Sequence, residues 1–397
     1  MENTMKINKL PAKTWYWLKM NDTSLKVCGD IYPCDVVAGG LAESAMANED
    51  LAGGAMACCA MAESTGFRGI ETGVGRDADV IFDAVPVKSF VARGVADSAM
   101  ADGAMAGGAM ADGAMAECHP LYINISPSGG AVSAGGIDVL AEEGKEITVI
   151  ETFGEGKPSG NEGIAGESGI LAFRSRFDIK KDARVRLVQV FMQGPDTSII
   201  NDVGSVCAEN ARFDVLQIFI GMGNLYNGVR TDLVGKKALT NMDIGYLGQK
   251  SQVIDVNLII NHLGKKTECN IQVDGSLKDA AQKTFRGTID FKNGASGAKG
   301  AETENVLLLG EAVVNRTIPI ILCAEENVEG THGATIGELD DETMFYFASR
   351  GIDMAAAEDM MTRGRMEVLY RKIQDAATEK KVEKQLAEVM AYDRSEV

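Results

Sequence analysis

The feature that most constrains the fold of this chain is a pair of internal echoes with nearly the same spacing. The segment Ala183–Phe191 (ARVRLVQVF) recurs 28 positions later as Ala211–Phe219 (ARFDVLQIF), and GKKALTNMDI from Gly235 recurs 29 positions later as GKKTECNIQV from Gly264. Self-similarity at a period of roughly 20 to 50 residues indicates stacked units, each of which buries its apolar side only against a neighbour. With strands as the repeating element, these echoes predict a β-solenoid.

The strands themselves are predicted from short runs rich in β-branched residues beyond Leu121. Turn residues such as Gly, Asn and Asp separate these runs, which read ITVIETF, ARVRLVQVF, ARFDVLQIFI, SQVIDVNLIINH and ENVLLLG. A β-sandwich is the structural alternative. It would not require the echoes, so the solenoid is the favoured prediction.

The region before the strands divides into two parts. Residues 1–38 are predicted to form an N-terminal helical segment, with a short helix over Lys9–Leu25. Residues 39–120 are rich in Ala, Gly and Met and include a five-residue repeat (SAMAD, GAMAG, GAMAD, GAMAE), a period that suits neither helix nor strand. We therefore predict a partly disordered insertion, with order in part over 67–90. A pentapeptide solenoid and a copper(I)-binding methionine cluster are the alternatives.

The pattern becomes helical after Gly337, which gives a predicted β-helix core over 121–337 and a helical domain over 338–397. Acidic residues begin the first helix, where they complement its dipole, and Gly351 is a predicted C-cap. A second helix is predicted over Asp353–Ile373. The tail carries an amphipathic stripe that must dock on the solenoid or on a partner, formed by Val382, Leu386 and Val389.

Composition excludes several classes of function. The formal charge of −18 over 397 residues disfavours binding to nucleic acid or to anionic membranes, both of which reward clustered Lys and Arg. No run approaches the roughly 18 apolar residues of a membrane span, and no apolar signal core follows the first basic residues, so we expect a cytoplasmic protein. The eight cysteines contain no CxxC pair and are predicted to be free thiols. No P-loop motif is present, so any ATP chemistry is expected from another subunit.

The segment 331–352, THGATIGELDDETMFYFASRGI, resembles the C-terminal signature of the SufB/SufD family, the scaffold subunits of the SUF iron–sulfur cluster assembly system. Further similar segments are KLPAKTWYWLKMNDTSL, NDVGSVCAEN, TDLVGKKALTNMDIGYLGQKSQ and TFRGTIDFKNGASGAKGAETENVLLLGEAVVNRTIPIILCAEE. Together they span nearly everything from about Ile147 to Arg371. The resemblance implies a right-handed parallel β-helix core with helical segments at both ends, in agreement with the repeats.

The resemblance also implies roles for Cys207 and His332, and Cys323 joins them because it lies nine residues before His332 and could face the same pocket. Cys207, in VCAEN, takes the place of the cysteine that accepts persulfide sulfur from a cysteine desulfurase system. Cys323 and His332 are candidates to bind iron or a nascent cluster near a subunit interface. The structural alternatives are a corner cysteine without a role, a buried thiol, and a histidine that caps the junction between β-helix and helices.

The resemblance further implies that an ABC-type ATPase, SufC, docks on the C-terminal helix pair, where Phe345, Tyr346 and Arg350 are the candidate contacts. An aromatic residue beside an arginine is typical of interface anchors. Ordinary amphipathic helix positions are the alternative reading of these residues.

Two departures from the SufB pattern affect the expected role. Val313 and Val314 stand where SufB members carry a cysteine, and Gly333 stands where they carry a carboxylate. The chain is therefore expected not to hold a cluster alone and to be SufD-like, although the VCAEN cysteine is a SufB-like trait.

The predicted function is that of a non-enzymatic, non-ATPase subunit of the SUF scaffold. Such a subunit would pair with itself or a SufB-like paralogue and support a transient iron–sulfur cluster at the interface; the sequence gives no support for a flavin. A primary SufB-like scaffold that binds the cluster itself is the first alternative. A β-helix carbohydrate-active enzyme, which needs a row of exposed carboxylates and aromatics along one solenoid face, is the second. A purely structural surface with inert thiols is the third.

Overall fold

Two sheets form the solenoid, and from Lys88–Ala92 onward consecutive strands of the chain alternate between them and pair in parallel. Earlier strands extend both sheets at one end, where two of the pairings are antiparallel. The fold is taken from a computed structural model that describes residues 2–12, 20–39, 59–61, 67–92, 120–154 and 169–394. In chain order the strands are β1 Glu2–Ile7, β2 Thr23–Cys28, β3 Ile31–Pro33, β4 Asp35–Gly39, β5 Cys59–Met61, β6 Lys88–Ala92, β7 Leu121–Ser126, β8 Val132–Ala141, β9 Glu146–Phe153, β10 Gly169–Ile179, β11 Arg184–Phe191, β12 Thr197–Cys207, β13 Arg212–Phe219, β14 Leu225–Leu233, β15 Leu239–Gly248, β16 Val253–His262, β17 Glu268–Lys278, β18 Gln282–Phe291, β19 Lys299–Leu309, β20 Val314–Cys323 and β21 Glu329–Gly337.

The topology is that of a parallel β-helix, as the echoes and the family resemblance predicted. One sheet, called here the even sheet, runs β20-β18-β16-β14-β12-β10-β8-β6-β5, and β3 also pairs with β8. The other, called here the odd sheet, runs β21-β19-β17-β15-β13-β11-β9-β7-β4. Each coil therefore contributes one strand to each sheet, and the apolar side chains between the sheets form the main core.

The register of the strands explains the echoes in the sequence. Val185 pairs with Phe213, the equivalent position of the first echo, and Leu239 pairs with Glu268, the equivalent position of the second. Equivalent residues of successive coils thus stack on one another, as the aromatic rings in the core illustrate. The centroids of Phe153 and Phe191 are 4.5 Å apart, so a repeated apolar residue in the sequence becomes a continuous column inside the solenoid.

The N-terminal region begins with a hairpin instead of the helix that was predicted over Lys9–Leu25. Strands β1 and β2 pair antiparallel, and the residues 13–19 of the predicted helix lie outside the described residues. For Thr23–Leu25 the helix prediction is wrong, because these residues belong to β2. In that strand intermediate or buried residues alternate with exposed ones, and Val27 packs with β1 against the outer face of the even sheet.

Within the stretch 39–120, the structure describes residues 67–92, which include the segment 67–90 predicted to be ordered in part. Residues 67–92, called here the strap, comprise two short 3-10 turns, the short helix α1 (Asp79–Phe82) and β6, and they cross the outer face of the even sheet. The backbones touch where the strap crosses, since a Cβ built on Gly228 would lie 2.2 Å from Val74 N. The five-residue repeat lies outside the described residues, so the predictions of disorder, a pentapeptide solenoid or a copper site stay predictions.

Three helices complete the chain: α2 (Asp341–Ser349), α3 (Met354–Tyr370) and α4 (Ala376–Arg394). The predicted C-cap is confirmed, because Gly351 has a φ of 75°. Acidic residues begin α2 as predicted, and one of them, Asp340, is also its N-cap, since its side chain accepts a hydrogen bond from Thr343 N at 2.7 Å. The predicted stripe of Val382, Leu386 and Val389 is buried with Leu369 of α3 against the outer face of the odd sheet. The tail therefore docks on its own solenoid. None of the helices in the described part of the chain is long and apolar enough to cross a bilayer.

Candidate functional site

One interior column of the solenoid collects most of the reactive side chains that the sequence singled out. It consists of the last inward-facing position of each even strand, where the registers stack Ile179, Cys207, Leu233, His262, Phe291 and Cys323 in that order. Side chains in such a column point to the same side and follow at the spacing of neighbouring strands, about 4.8 Å. The fold therefore aligns Cys207, His262 and Cys323 along the solenoid axis.

Cys207 is the last residue of β12, and its side chain is fully buried in the core. Burial raises the pKa of its thiol well above the usual range, and the nearby carboxylates of Asp232 and Asp178 raise the pKa further. The thiol is therefore protonated in this closed form. Chemistry at Cys207 would require an opening of the adjacent corner, which would both expose the sulfur and lower its pKa.

His262 and Cys269 form a buried contact two coils further along. The His262 Nε2 lies 3.3 Å from Cys269 Sγ, and its Nδ1 lies 2.7 Å from Thr267 Oγ1. The imidazole also stacks on Phe291, with ring centroids 4.7 Å apart. Burial lowers the pKa of His262 to about 4 and raises the pKa of Cys269 to about 12, so both groups are neutral near pH 7.

Cys323 and His332 both lie at the open end of the solenoid. Cys323 ends β20 and is exposed, and His332 belongs to β21, in which every residue is exposed. Within the described part of the chain these two strands pair only with β18 and β19, so each has a free edge. The same part of the chain contains no group of three or more His, Cys, Asp or Glu placed to bind one metal ion.

A buried charged group lies directly behind this end. Glu302 is the in-register neighbour of His332, and Glu304 contacts the Lys283 ammonium, which also lies 3.1 Å from Thr317 Oγ1. Burial raises the pKa of Glu302 to about 7, and the charge of Glu304 adds to that effect. The ion pair between Lys283 and Glu304 is fully buried, so removing either side chain would leave the other charge buried without a partner.

A ladder of buried, hydrogen-bonded polar side chains also runs through the interior of the coils formed by β9 to β14. Ser175 Oγ donates to Glu151 Oε1 at 2.8 Å, and Gln189 Nε2 donates to Glu151 Oε2 at 2.6 Å. The ladder continues through Asn201, which donates to Asn227 Oδ1 at 2.7 Å. Burial raises the pKa of Glu151 to about 7, although these hydrogen bonds oppose the shift.

Helix α2 and the residue that follows it carry the three residues predicted to contact an ATPase, Phe345, Tyr346 and Arg350. Phe345 is 75% exposed and Tyr346 is 55% exposed, and no residue of the helix is buried. The guanidinium carbon of Arg350 lies 5.2 Å from the centre of the Tyr346 ring. An apolar helix face this open is unusual for a helix that only packs on its own domain.

Sequence reasoning found the two ends of the interior column and missed its middle. His262 and Cys269 lie seven residues apart and meet across the corner between β16 and β17. Along the column the successive spacings from Cys207 are 26, 29, 29 and 32 residues. Two echo periods of 28 or 29 residues from Cys207 lead to positions 263–265, the corner that directly follows His262, so the echo points to this corner but not to the histidine itself. Among the described residues the exposed aromatic side chains are Tyr32, Phe345 and Tyr346, which do not form the row along a solenoid face that a carbohydrate-active enzyme needs.

Comparisons with known proteins agree with this architecture. Residues 124–365, more than half of the chain, match the family model described as the SufBD core domain of SUF system FeS cluster assembly. The iron–sulfur cluster assembly protein SufD of Bacillus subtilis is 27% identical over 42% of this chain and 38% of that protein. SufD of Escherichia coli is 26% identical over 55% of this chain and 50% of that protein.

A SufB protein matches at a comparable level. SufB of Bacillus subtilis is 26% identical over 43% of this chain and 36% of that protein. The chain thus matches half or less of the length of each of these curated relatives, and relatives of both names have similar identity to it.

Proposed function

Since this chain belongs to the SufBD family of the SUF system of iron–sulfur cluster assembly, we propose that it is a SufD-like, non-ATPase subunit of a scaffold complex. Its role is to support the assembly of a transient cluster at an interface with a second solenoid. Iron and sulfide are the substrates that this interface receives, and an ABC-type ATPase supplies the energy.

The observation that carries the proposal is the open end of the solenoid. All nine residues of β21 are exposed, and the free edges of β20 and β21 offer unpaired backbone groups to another chain. Cys323 and His332 lie at this end, so a partner solenoid that covers it also encloses them. The partner is a second copy of this chain or a SufB-like paralogue.

The side chains at this end favour a SufD-like role over a primary scaffold. Val313, Val314 and Gly333 stand where thiol and carboxylate ligands are expected in SufB-type members. Cys323 and His332 supply at most two ligands, whereas four-coordinate iron in a cluster needs more. The partner therefore contributes the remaining ligands.

Cys207 is a SufB-like trait of this otherwise SufD-like subunit. It shares one interior column with His262 and the exposed Cys323, and a thiol is the group that accepts sulfur from a persulfide. We propose it as the sulfur acceptor of this chain, with a cysteine desulfurase system as the donor.

The exposed face of α2 supports the docking of the ATPase on the helical domain. Phe345 and Tyr346 offer apolar area, and Arg350 lies against the Tyr346 ring. Aromatic and arginine side chains in such a cluster account for much of the affinity of many protein interfaces.

Co-purification tests this proposal. The chain is co-expressed with the SufC-type ATPase and the SufB-like paralogue of its organism, and the complex is isolated through a tag on this chain. We expect Phe345→Ala with Tyr346→Ala to lose the ATPase and to keep the paralogue, while Met360→Ala, an exposed control on α3, keeps both. Retention of the ATPase by the double variant would contradict the proposed docking helix, and recovery of neither partner by the wild type would contradict the scaffold role.

A further inference from the structure

The corners that follow β14 and β16 carry the same four-residue pattern, an aliphatic residue, glycine and two lysines. This is the GKK echo of the sequence, and the register of the coils places one copy directly beside the other. The six side chains of these corners are called here the basic ledge, and all of them are exposed: Val234, Lys236, Lys237, Leu263, Lys265 and Lys266.

The charges of the ledge are not neutralised locally. Cations on the adjoining corners have carboxylate partners, since Lys292 Nζ lies 2.6 Å from Asp290 and Lys299 Nζ lies 2.9 Å from Glu329. Within the described ranges no carboxylate forms an ion pair with any of the four ledge lysines. A patch of four unpaired positive charges on a chain with a formal charge of −18 attracts an acidic partner.

The backbone of the ledge is rigid. A Cβ built on Gly235 would lie 2.0 Å from Glu209 N, and one built on Gly264 would lie 2.2 Å from Gly235 O, so these corners stack backbone on backbone. The Lys237 N–H donates to Lys265 O at 2.9 Å, which joins the two halves of the ledge. A preformed surface of this kind needs little ordering when a partner binds.

The ledge lies immediately outside the proposed sulfur acceptor. The backbone N–H groups of Val234 and Gly235 both donate to Cys207 O at 3.0 Å, and the Asn210 N–H donates to Lys236 O at 3.0 Å. The Cys207 side chain points inward from the same corner. A protein bound to the ledge therefore lies against the part of the wall that has to open before the thiol can react.

We propose that the basic ledge is the docking surface for the protein that delivers sulfur to Cys207, and that this partner presents an acidic segment with an apolar side chain. The inference rests on the proposed sulfur-accepting role of Cys207. The carboxylates of the partner pair with the lysines, and its apolar side chain covers Val234 and Leu263, which are 45% and 43% exposed. Nucleic acid is disfavoured, because the ledge has neither arginine nor an aromatic residue and the net charge repels polyanions.

The transfer itself is balanced without an added oxidant or reductant. The Cys207 thiolate attacks the terminal sulfur of the partner's cysteine persulfide, a new S–S bond forms on Cys207, and the S–S bond in the partner breaks. The partner cysteine leaves as a thiolate and takes up the proton that Cys207 lost. A thiol and a persulfide thus exchange one sulfur atom.

Direct binding tests the ledge independently of the transfer. The probe is the purified cysteine desulfurase and sulfur carrier of the same organism, titrated onto the full chain with Cys207→Ser, in which no sulfur can be accepted at that position. We expect Lys236→Glu with Lys265→Glu to weaken binding by about tenfold at low salt, with a smaller difference at high salt. The control is Lys380→Glu with Lys384→Glu on α4, which changes the net charge equally and should bind like its parent.

A second measurement separates the ledge from the acceptor. Transfer of labelled sulfur to the chain with Cys207 intact should require about tenfold more donor for half-saturation in the ledge variant and should reach the same final labelling. The proposed docking surface would be contradicted if the ledge variant bound the sulfur donor as tightly as the control variant does, or if the parent chain did not bind the donor at all. If the ledge variant binds the donor weakly but the Cys207→Ser chain still acquires labelled sulfur, the ledge is supported as the docking surface and Cys207 is ruled out as the acceptor. Equal thermal unfolding of both charge variants verifies that they are folded.

Discussion

The imidazole Nε2 of His262 lies 3.3 Å from the thiol sulfur of Cys269, in the interior of the solenoid, where neither side chain reaches solvent. The two residues come from neighbouring strands of different sheets and meet at a corner of one coil. Burial in this corner lowers the pKa of His262, so the ionisation of His262 depends on the folding of the coil.

The first prediction concerns the dependence of stability on pH. The pKa of His262 is lowered to about 4 in the folded protein, against an ordinary value of 6.5, so the unfolded chain takes up this proton first as the pH falls. The contribution of His262 to stability is complete above pH 6.5 and is lost towards pH 4, by about 1.4 kcal/mol per pH unit. In His262→Phe, which keeps a ring against Phe291, this loss should be absent. Denaturant unfolding of both proteins between pH 4 and 8 measures the difference, and parallel pH profiles would contradict the assignment.

The second prediction concerns Glu151, whose contribution to stability is lost as the pH rises instead of as it falls. The folded pKa of Glu151 is raised to about 7 by burial, from an ordinary value of 4.5, so ionisation favours the unfolded chain as the pH rises between these values. Glu151→Gln should therefore gain stability relative to the wild type as the pH rises from 4.5 to 7, by about 3 kcal/mol in total. The matched control is Glu146→Gln, an exposed position on the same strand. A stability difference between wild type and Glu151→Gln that stays constant with pH would refute the prediction.

The third prediction concerns the strap. Gly228→Ala places a methyl carbon 2.2 Å from the backbone nitrogen of Val74. This clash is with backbone, which cannot move aside as the end of a flexible side chain can. We expect a loss of about 1 to 3 kcal/mol in the free energy of unfolding and faster proteolysis within residues 67–92. Gly194→Ala, where a Cβ meets nothing within 4 Å, serves as the control and should behave like the wild type. Equal proteolysis of the two variants would show that the strap does not contact the sheet at this point.

The fourth prediction compares two valines of the helical domain. Val389 is 1% exposed against the odd sheet, and Val368 is 66% exposed. Val389→Ala should cost about 2 kcal/mol in thermal or denaturant unfolding, because two buried methyl groups leave a cavity, whereas Val368→Ala should change stability little. Equal effects would mean that α4 is not docked on the solenoid in solution.

The solenoid could be predicted because equivalent positions of successive coils have similar residues, so the sequence repeats with the length of one coil. Ala183–Phe191 and Ala211–Phe219 are alike because their residues stack in register, so the echo directly reports the coil length. The C-cap at Gly351 could be predicted for another reason, since it depends only on local backbone geometry.

The rest depends on contacts that local patterns do not encode. The strand Thr23–Cys28 was missed because its partner β1 and the even sheet decide its conformation, and these tertiary contacts override a helical pattern. The pairing of His262 with Cys269 was missed because an alternating pattern does not say which face of a strand lies inside the solenoid. Glu151 and Lys283 were missed too, since charged side chains are rarely expected inside a core.

The measurement that tests the central claim most directly is anaerobic reconstitution with iron and sulfide, followed by visible absorption and by analysis of bound iron. The isolated chain is compared with the complex that contains the SufB-like paralogue and the ATPase. We predict no stable cluster on the isolated chain, a cluster on the complex, and a reduced yield from the complex when this chain carries His332→Ala. A stable cluster on the isolated chain would contradict the SufD-like role and identify it as a primary scaffold, and a complex that acquires no cluster would contradict the assignment as a scaffold subunit.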